Sequence, residues 1–213
     1  MRKYGLYCPV RKANPYRRMA KAMRTNAVAD NLLKREFRLR GPRKVFLTDI
    51  TYIPFNDSFL YLSVIMDSFT DEVLSYVLSE SLEVDFVLQT VKQFIAKHGT
   101  TLDSEAIIHS DQGCHYTSTS FRAIVSDYGL RQSMSRRGNC WDNAPQESFF
   151  GHMKQEIQFK TRKCLSFSAV QEAIDDWIDY YNKDRYKAAL NNLSPNEFYK
   201  YITTGEYPLK MLH

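Results

Sequence analysis

The sequence predicts an α/β fold in which helices flank a mixed five-stranded sheet. The first sign is a set of three consecutive strand-like runs separated only by short polar turns, which is typical of an antiparallel meander. The second is the alternation of helix-like and strand-like segments that follows, which favours two further strands added in parallel. With 213 residues, the chain is long enough for one substantial domain with appendages.

The meander is predicted from residues 45–55, 59–66 and 73–78. The first run alternates and places Asp49 on the same side as apolar neighbours, whereas the second is almost continuously apolar, as in a central strand buried on both faces. Polar clusters at 56–58 and 67–71 mark the two turns.

The next segments predict a helix, a strand, a helix and a strand. Apolar residues recur at helical spacing from Val84 to Ile95, and this helix should end near His98 and Gly99. A short strand over residues 106–110 leads directly to Asp111. Residues 121–128 then indicate a second helix and residues 130–133 a last strand.

A polar loop leads into a further predicted helix, with Asn143 as N-cap and Pro145 in its first turn. Glu147 also lies in that turn, where the helix dipole favours a carboxylate, and Lys154 follows on the same face. Taken alone, this pattern favours a capped surface helix with a charged stripe. Two more helices are predicted beyond it: one over residues 170–181, where Ser168 and Gln171 suggest a capping box, and one from Ser194-Pro195.

Positive charge is concentrated at the N-terminus. Residues 1–44 hold 14 Lys or Arg against two acids, a net charge of +12, whereas residues 45–213 hold 15 against 22, a net charge of −7. A basic arm with interleaved tyrosines fits a nucleic-acid contact and equally a solvated tail. Within it, residues 19–33 suggest a short basic helix, and Gly41-Pro42 marks the boundary to the next domain.

The remaining composition excludes several classes of protein. The sequence has no signal peptide and no apolar run long enough to span a membrane, so no membrane partner is expected. No CxxC pair occurs, so neither a disulfide framework nor a zinc ribbon is indicated, and a cytoplasmic location is the simplest expectation. The four scattered cysteines are Cys8, Cys114, Cys140 and Cys164.

Three acidic residues occupy notable positions: two lie in or at the end of strand-like runs, where acids are unexpected, and one lies in the first turn of a helix, where the helix dipole favours an acid. Asp49 lies inside a strand-like run, Asp111 at the end of another, and Glu147 in the first turn of a helix. Asp is unfavourable in strands and is rarely buried without a partner. If the three carboxylates converge, a cation must neutralise them, and hard oxygen ligands select Mg²⁺ or Mn²⁺.

Several short sequence motifs carry a family resemblance, and so does the spacing of 35 residues between Asp111 and Glu147. The motifs are TDITYI at 48–53, HSDQG at 109–113, SRRGNCWDNAPQESFFGHMK at 135–154, YYNKDR at 180–185 and LSPNEF at 193–198. In these, the chain resembles the catalytic subunit of a bacterial insertion-sequence transposase of the retroviral-integrase type, a DDE recombinase. The resemblance extends from about Gly41 to Phe198.

This resemblance implies an RNase H-like core over residues 42–164, preceded by the basic arm (1–41) and followed by a helical extension (165–213). It implies that Asp49, Asp111 and Glu147 bind two Mg²⁺ or Mn²⁺ ions and catalyse DNA cleavage followed by strand transfer. We expect Asp49 to bridge the two ions. His109 is interpreted as structural or supporting, and Asp142 as hydrogen-bonded within its turn.

DNA contacts are expected around the acids, and Lys154 in particular should reach a phosphate of the terminal DNA, although a plain exposed lysine would look the same. Trp141 is as consistent with packing as with positioning a base. The residues expected to contact DNA are Lys154, Ser135, Arg136, Arg137, Asn143 and Trp141.

Two other functions stay open. One is a metal-dependent nuclease that only hydrolyses; the other is a truncated or repurposed DNA-binding subunit that needs a partner. The first 40 residues hold no convincing helix-turn-helix pair, so an upstream reading frame is a candidate source of end recognition. The expected partners are DNA, further copies of the chain in a homo-oligomer and that upstream segment, in a nucleoid-associated setting.

Overall fold

A computed structural model describes residues 28–136 and 140–208, without the side chains of Thr101 and Cys140. Five strands form one sheet: β1 (Val45–Phe55), β2 (Ser58–Asp67), β3 (Val73–Ser79), β4 (Ile107–Ser110) and β5 (Arg131–Met134). The three runs of the predicted meander match β1 to β3 to within one residue at each end.

The sheet has the strand order β3-β2-β1-β4-β5 and is mixed. The meander β1–β2–β3 is antiparallel, whereas β4 pairs parallel with β1 and β5 parallel with β4. Leu47 of β1 lies opposite His109 of β4. Asp49 lies two residues beyond Leu47 in β1, and Asp111 lies two residues beyond His109, just past the end of β4, so the parallel pairing places both acids toward the same end of the two strands. The predicted mixed five-stranded sheet is confirmed, and its parallel pairing brings two of the three acids together.

Helices cover both faces of the sheet: α1 (Val84–His98), α2 (Thr119–Asp127), α3 (Ala144–Thr161), α4 (Phe167–Lys183) and α5 (Pro195–Thr204). On one face, α3 and α4 bury a cluster that includes Leu47, Met153 and Ile174. On the other, α1 and α2 bury a cluster that includes Phe46 and Phe121. Adjacent residues of β1 therefore serve opposite cores, because side chains alternate across a strand.

Helix α4 begins earlier than the predicted capping box. Ser166, in an extended conformation, accepts a hydrogen bond from the backbone N–H of Ala169, so Ser166 and not Ser168 caps the helix. The Ser168 hydroxyl instead lies 3.0 Å from that of Ser166. At α5 the prediction is confirmed, because Ser194 caps the helix. The Glu197 carboxylate in turn accepts a hydrogen bond from the backbone N–H of Ser194.

Segment 28–40 runs over the core as turns and irregular chain, so the helix predicted for residues 19–33 is wrong over residues 28–33; its first part lies outside the described residues. The Asn31 side chain accounts for the difference, because it accepts hydrogen bonds from the backbone N–H groups of Leu33 and Lys34 and forms a turn that competes with a helix. Leu33 is only 1% exposed in the core beneath α3 and α4. The predicted domain boundary at Gly41 stays a prediction.

Replacing Leu33 by Ala should lower the free energy of unfolding by about 2–5 kcal/mol, because a buried leucine loses its contacts and leaves a cavity. Urea denaturation would measure this. Leu39, which is 76% exposed in the same segment, supplies the matched control Leu39→Ala. Equal, small effects of both substitutions would show that segment 28–40 does not contribute to the folded core.

Within the part of the chain that the structure describes, no helix combines the length and apolar character needed to cross a membrane.

Candidate active site

Asp49 lies within β1 and is held from two sides. One carboxylate oxygen accepts a hydrogen bond from the backbone N–H of Ile50 at 2.8 Å. The other accepts one from the side-chain amide of Asn143, at 3.0 Å. Asn143 comes from the turn before α3, so this contact ties the strand to the beginning of that helix.

Asp111 follows β4 directly, and its Oδ1 accepts a hydrogen bond from the backbone N–H of Gly113 at 2.8 Å. A Cβ atom at residue 113 would lie 2.8 Å from that same oxygen, closer than real contacts allow. Glycine at residue 113 therefore leaves room for the carboxylate in its observed position.

Glu147 lies exposed in the first turn of α3, as predicted. Asn143 does occupy the N-cap position, but its side chain makes no capping hydrogen bond, so the local prediction is only half right. Its amide N–H donates to Asp49 instead, because the tertiary fold offers a carboxylate there. The Asn143 side-chain oxygen is buried and has no hydrogen-bond partner among the described residues.

The charges of Asp111 and Glu147 act on Asp49. Burial raises the pKa of Asp49 to about 7, repulsion by Asp111 and Glu147 adds to the rise, and the bonds from Ile50 and Asn143 oppose it. Burial also raises the pKa of Asp111. A raised pKa means that the ionised form is destabilised, and a nearby cation would relieve that cost.

The donor set fits a hard divalent cation, because it consists of carboxylate oxygens with an unpaired amide oxygen beside them. In the described ranges 28–136 and 140–208, no three His, Cys, Asp or Glu side chains are grouped tightly enough to enclose a metal ion. Asp49 accepts one hydrogen bond at each carboxylate oxygen, and Asp111 accepts one at Oδ1. Each of these oxygens has a second lone pair, so the bonds leave room for a cation.

A second, buried carboxylate organises the loop before α3. Asp142 is 1% exposed and accepts hydrogen bonds from the side chains of Asn31, Arg35 and Arg136 and from the backbone N–H of Arg136. These donors, the Arg136 side chain first, hold the pKa of Asp142 well below its usual range. The predicted bonding within the turn is therefore incomplete, since two of its three partner residues among those described come from segment 28–40.

His109 is fully buried and fills a structural position, as interpreted from the sequence. Its Nδ1 lies 2.8 Å from the Ser133 hydroxyl, and its Nε2 lies 3.0 Å from the backbone carbonyl oxygen of Asp142. Burial lowers the pKa of His109 to about 4, so the ring is neutral at physiological pH and Nε2–H donates to that carbonyl.

The residues expected to contact DNA fall into different environments. Trp141 is 69% exposed, so it does not pack into the core, and Arg136 and Lys154 are exposed as well. Ser135 is buried, with its hydroxyl facing His109 and the carbonyl of Ser110, and Asn143 is buried against Asp49. Arg137 lies outside the described residues. Their DNA contacts remain predictions.

Sequence reasoning missed Asn31 and Arg35 as neighbours of the site. They are separated from Asp142 by 111 and 107 residues in the chain. Nothing in the local sequence distinguishes them from the other polar and basic residues of the arm.

Taken together, the sheet order and the placement of acids on β1, after β4 and in α3 define an RNase H-like protein of the integrase catalytic-core type. Residues 40–140 match a family model described as integrase core domain, and residues 128–195 match a second model of the same description. The catalytic core domain of HTLV-2 integrase, solved in complex with magnesium, aligns with a TM-score of 0.56, covering 74% of this chain and 96% of that one. Its sequence identity of 16% supports the fold alone.

Bacterial relatives are closer in sequence. An uncharacterized transposase-like protein of Haemophilus influenzae is 38% identical over 79% of this chain and 76% of its own length. The transposase for insertion sequence element IS904 of Lactococcus lactis is 35% identical over 80% of this chain and 67% of its own. The chain belongs to the IS3-family insertion-sequence transposases with an integrase core domain. Against four such relatives it spans between 59% and 76% of their length.

Proposed function

We propose that this chain carries the catalytic centre of a transposase that cleaves DNA at the ends of an insertion sequence and joins them to target DNA. The observation that carries the proposal is the placement of three acids: β1, which carries Asp49, pairs in parallel with β4, which Asp111 follows, and Asn143 ties Asp49 to the start of α3, where Glu147 lies. Carboxylates placed in this way repel one another, and divalent cations are the partners that would stabilise them.

Asp49, Asp111 and Glu147 are the residues that would hold two Mg²⁺ or Mn²⁺ ions, with Asp49 shared between them. The magnesium in the HTLV-2 integrase core supports this choice of metal. When bound, a pair of such ions supplies an activated nucleophile and neutralises charge on the attacking and leaving oxygens.

The chain's own residues would position the DNA. Lys154 lies on the same face of α3 as Glu147, and the negative charge of Asp49 acts on its pKa, which partial desolvation otherwise lowers. Its ammonium group is therefore within electrostatic reach of the acids, where the scissile phosphate would lie. Arg136, whose side chain is 58% exposed, would contact the DNA backbone at the loop.

The same arrangement of residues would serve both chemical steps. In the first, water attacks a phosphate at the element's end and releases a 3′-hydroxyl; in the second, that hydroxyl attacks a phosphate of target DNA and displaces a 3′-oxygen. Only the nucleophile differs, so holding the DNA end in place between steps is the main demand on the protein. We further propose that the protein acts on DNA as a homo-oligomer.

The proposal is tested by giving the chain a terminal-repeat oligonucleotide, a supercoiled target and Mn²⁺, both alone and joined to a candidate recognition segment from an upstream reading frame, where the genome supplies one. Joined products are expected mainly with the fusion, because well-positioned ends account for much of the rate. Cut ends that never join, with either metal and with the partner present, would favour the purely hydrolytic nuclease. Duplex binding without cleavage or joining under any condition would favour a repurposed DNA-binding subunit.

Substituting Lys154 by Ala should weaken binding of a terminal DNA end and make the slope of log Kd against log salt shallower by about 1, because one phosphate contact is lost. Titrations at several salt concentrations would measure the slope. Lys160, exposed in the last turn of α3, supplies the control Lys160→Ala. If the two variants share the parental slope, Lys154 does not contact phosphate.

A further inference from the structure

The Asp142 side chain is a buried charge with an unusually complete set of donors. Its Oδ2 accepts from Asn31 Nδ2 at 3.0 Å, from Arg136 N at 3.0 Å and from Arg136 Nε at 2.9 Å. Its Oδ1 accepts from Arg35 Nε and Arg136 Nη2, both at 2.9 Å. Such a group is costly to bury unless every lone pair is satisfied, so the donors determine where Asp142 lies.

The backbone around Asp142 is linked to each of the three acids through a short series of bonded or adjacent residues. Its carbonyl oxygen accepts the hydrogen bond from His109 Nε2, and His109 lies on β4, two residues before Asp111. The next residue, Asn143, donates to Asp49. Helix α3 begins immediately afterwards and carries Glu147 in its first turn.

Segment 28–40 also contacts Asp142. Asn31 and Arg35 lie outside the sheet and precede β1, yet both hydrogen-bond to Asp142. Two further contacts hold this segment close to the site: the Leu32 backbone N–H donates to the Ser133 hydroxyl, which also contacts His109, and Leu33 is buried beneath α3 and α4. Displacement of residues 31–35 would therefore remove two of the three described side chains that hold Asp142.

We propose that Asp142 is a positioning residue that couples the placement of residues 31–35 to the metal-binding geometry of Asp49, Asp111 and Glu147. The proposal rests on the proposed function, since it takes those acids to be the metal ligands. It assigns to the segment before the catalytic sheet a direct influence on the active centre. Anything that binds or moves this segment would then alter the affinity of the site for its cation.

A merely structural role for Asp142 would lower stability and leave metal affinity unchanged in the folded protein, so both must be measured. The test uses the full chain with Mn²⁺ as probe, titrated by calorimetry well below the unfolding temperature. The main variant is the double substitution Asn31→Ala with Arg35→Ala, which keeps Asp142 and its Arg136 partner. Asp142→Asn is the second variant, and Arg131→Ala, which removes an exposed ion pair with Glu105, is the control.

We expect the double variant and Asp142→Asn to bind Mn²⁺ about tenfold more weakly or worse, as is typical when residues supporting metal ligands are removed. Arg131→Ala should keep the parental affinity. If the double variant is destabilised but binds Mn²⁺ with parental affinity, the coupling is refuted, and this holds even if Asp142→Asn fails to fold. The variant Glu147→Gln separates the two proposals. If Glu147→Gln keeps its Mn²⁺ affinity, the metal site itself is contradicted. If Glu147→Gln loses its Mn²⁺ affinity while the double variant keeps it, the coupling alone is contradicted.

Discussion

Replacement of Glu147 by Gln is expected to abolish metal-dependent DNA nicking, with a fall in rate of about three orders of magnitude or more. The amide keeps the size of the side chain and loses the charge that would help hold a divalent cation. Glu147 is exposed at the start of α3, so the fold should be unaffected. Nicking of supercoiled DNA in Mn²⁺, with far-UV circular dichroism as a check on folding, would measure the effect.

A matched control is Glu172→Gln, since Glu172 is also exposed on a helix, α4, and belongs to none of the contacts around the three acids. It should nick at the parental rate. Parental activity in Glu147→Gln would remove that residue from the catalytic set and with it the proposed three-acid centre.

Replacement of Asp49 by Asn is expected to stabilise the metal-free protein while destroying its activity. Burial and the charges of Asp111 and Glu147 raise the pKa of Asp49 from 3.8 to about 7. Well below pH 3.8 the carboxyl is protonated in both the folded and unfolded states and does not affect the free energy of unfolding; at about pH 4 its effect is still small. As the pH rises to about 7, the unfolded state loses this proton first, so the free energy of unfolding falls by about 4 kcal/mol.

The Asn variant lacks that pH-dependent loss. The difference in unfolding free energy between variant and parent should therefore be small at pH 4, grow through pH 7 and then level off. Urea denaturation in the presence of a chelator, repeated across this range, would measure it, with Asp57→Asn in the exposed β1–β2 turn as control. A difference that is flat with pH would show that Asp49 is not destabilised when ionised. Added Mg²⁺ should stabilise the parent more than the variant.

Local pattern was sufficient for most of the secondary structure. Strand β1 was predicted with its observed limits, and helix α1 begins at Val84 and ends at His98 as its apolar spacing indicates. These predictions succeed because the core faces of a strand and of a helix repeat at fixed intervals that side-chain burial imposes.

Predictions of capping were less reliable. Asn143 had the right residue type for a helix cap but directs its amide to Asp49, and Ser166 takes the role expected of Ser168. Short polar side chains choose between local and distant partners of similar energy, so the surrounding fold decides the outcome. The turn at Asn31, which replaced a predicted helix over residues 28–33, is a local choice that helical spacing did not reveal.

The sequence by itself determined the fold class and the family motifs, and it predicted the three acids as metal ligands, because each inference depends on residue type and spacing along the chain. Only the tertiary structure decided that Asn143 would hold Asp49 and that Asp142 would join Asn31, Arg35 and Arg136 around one buried carboxylate. A buried charge must find donors, but which donors reach it depends on the relative positions of segments more than 100 residues apart. Those positions follow from the packing of the whole domain, and no local pattern encodes them.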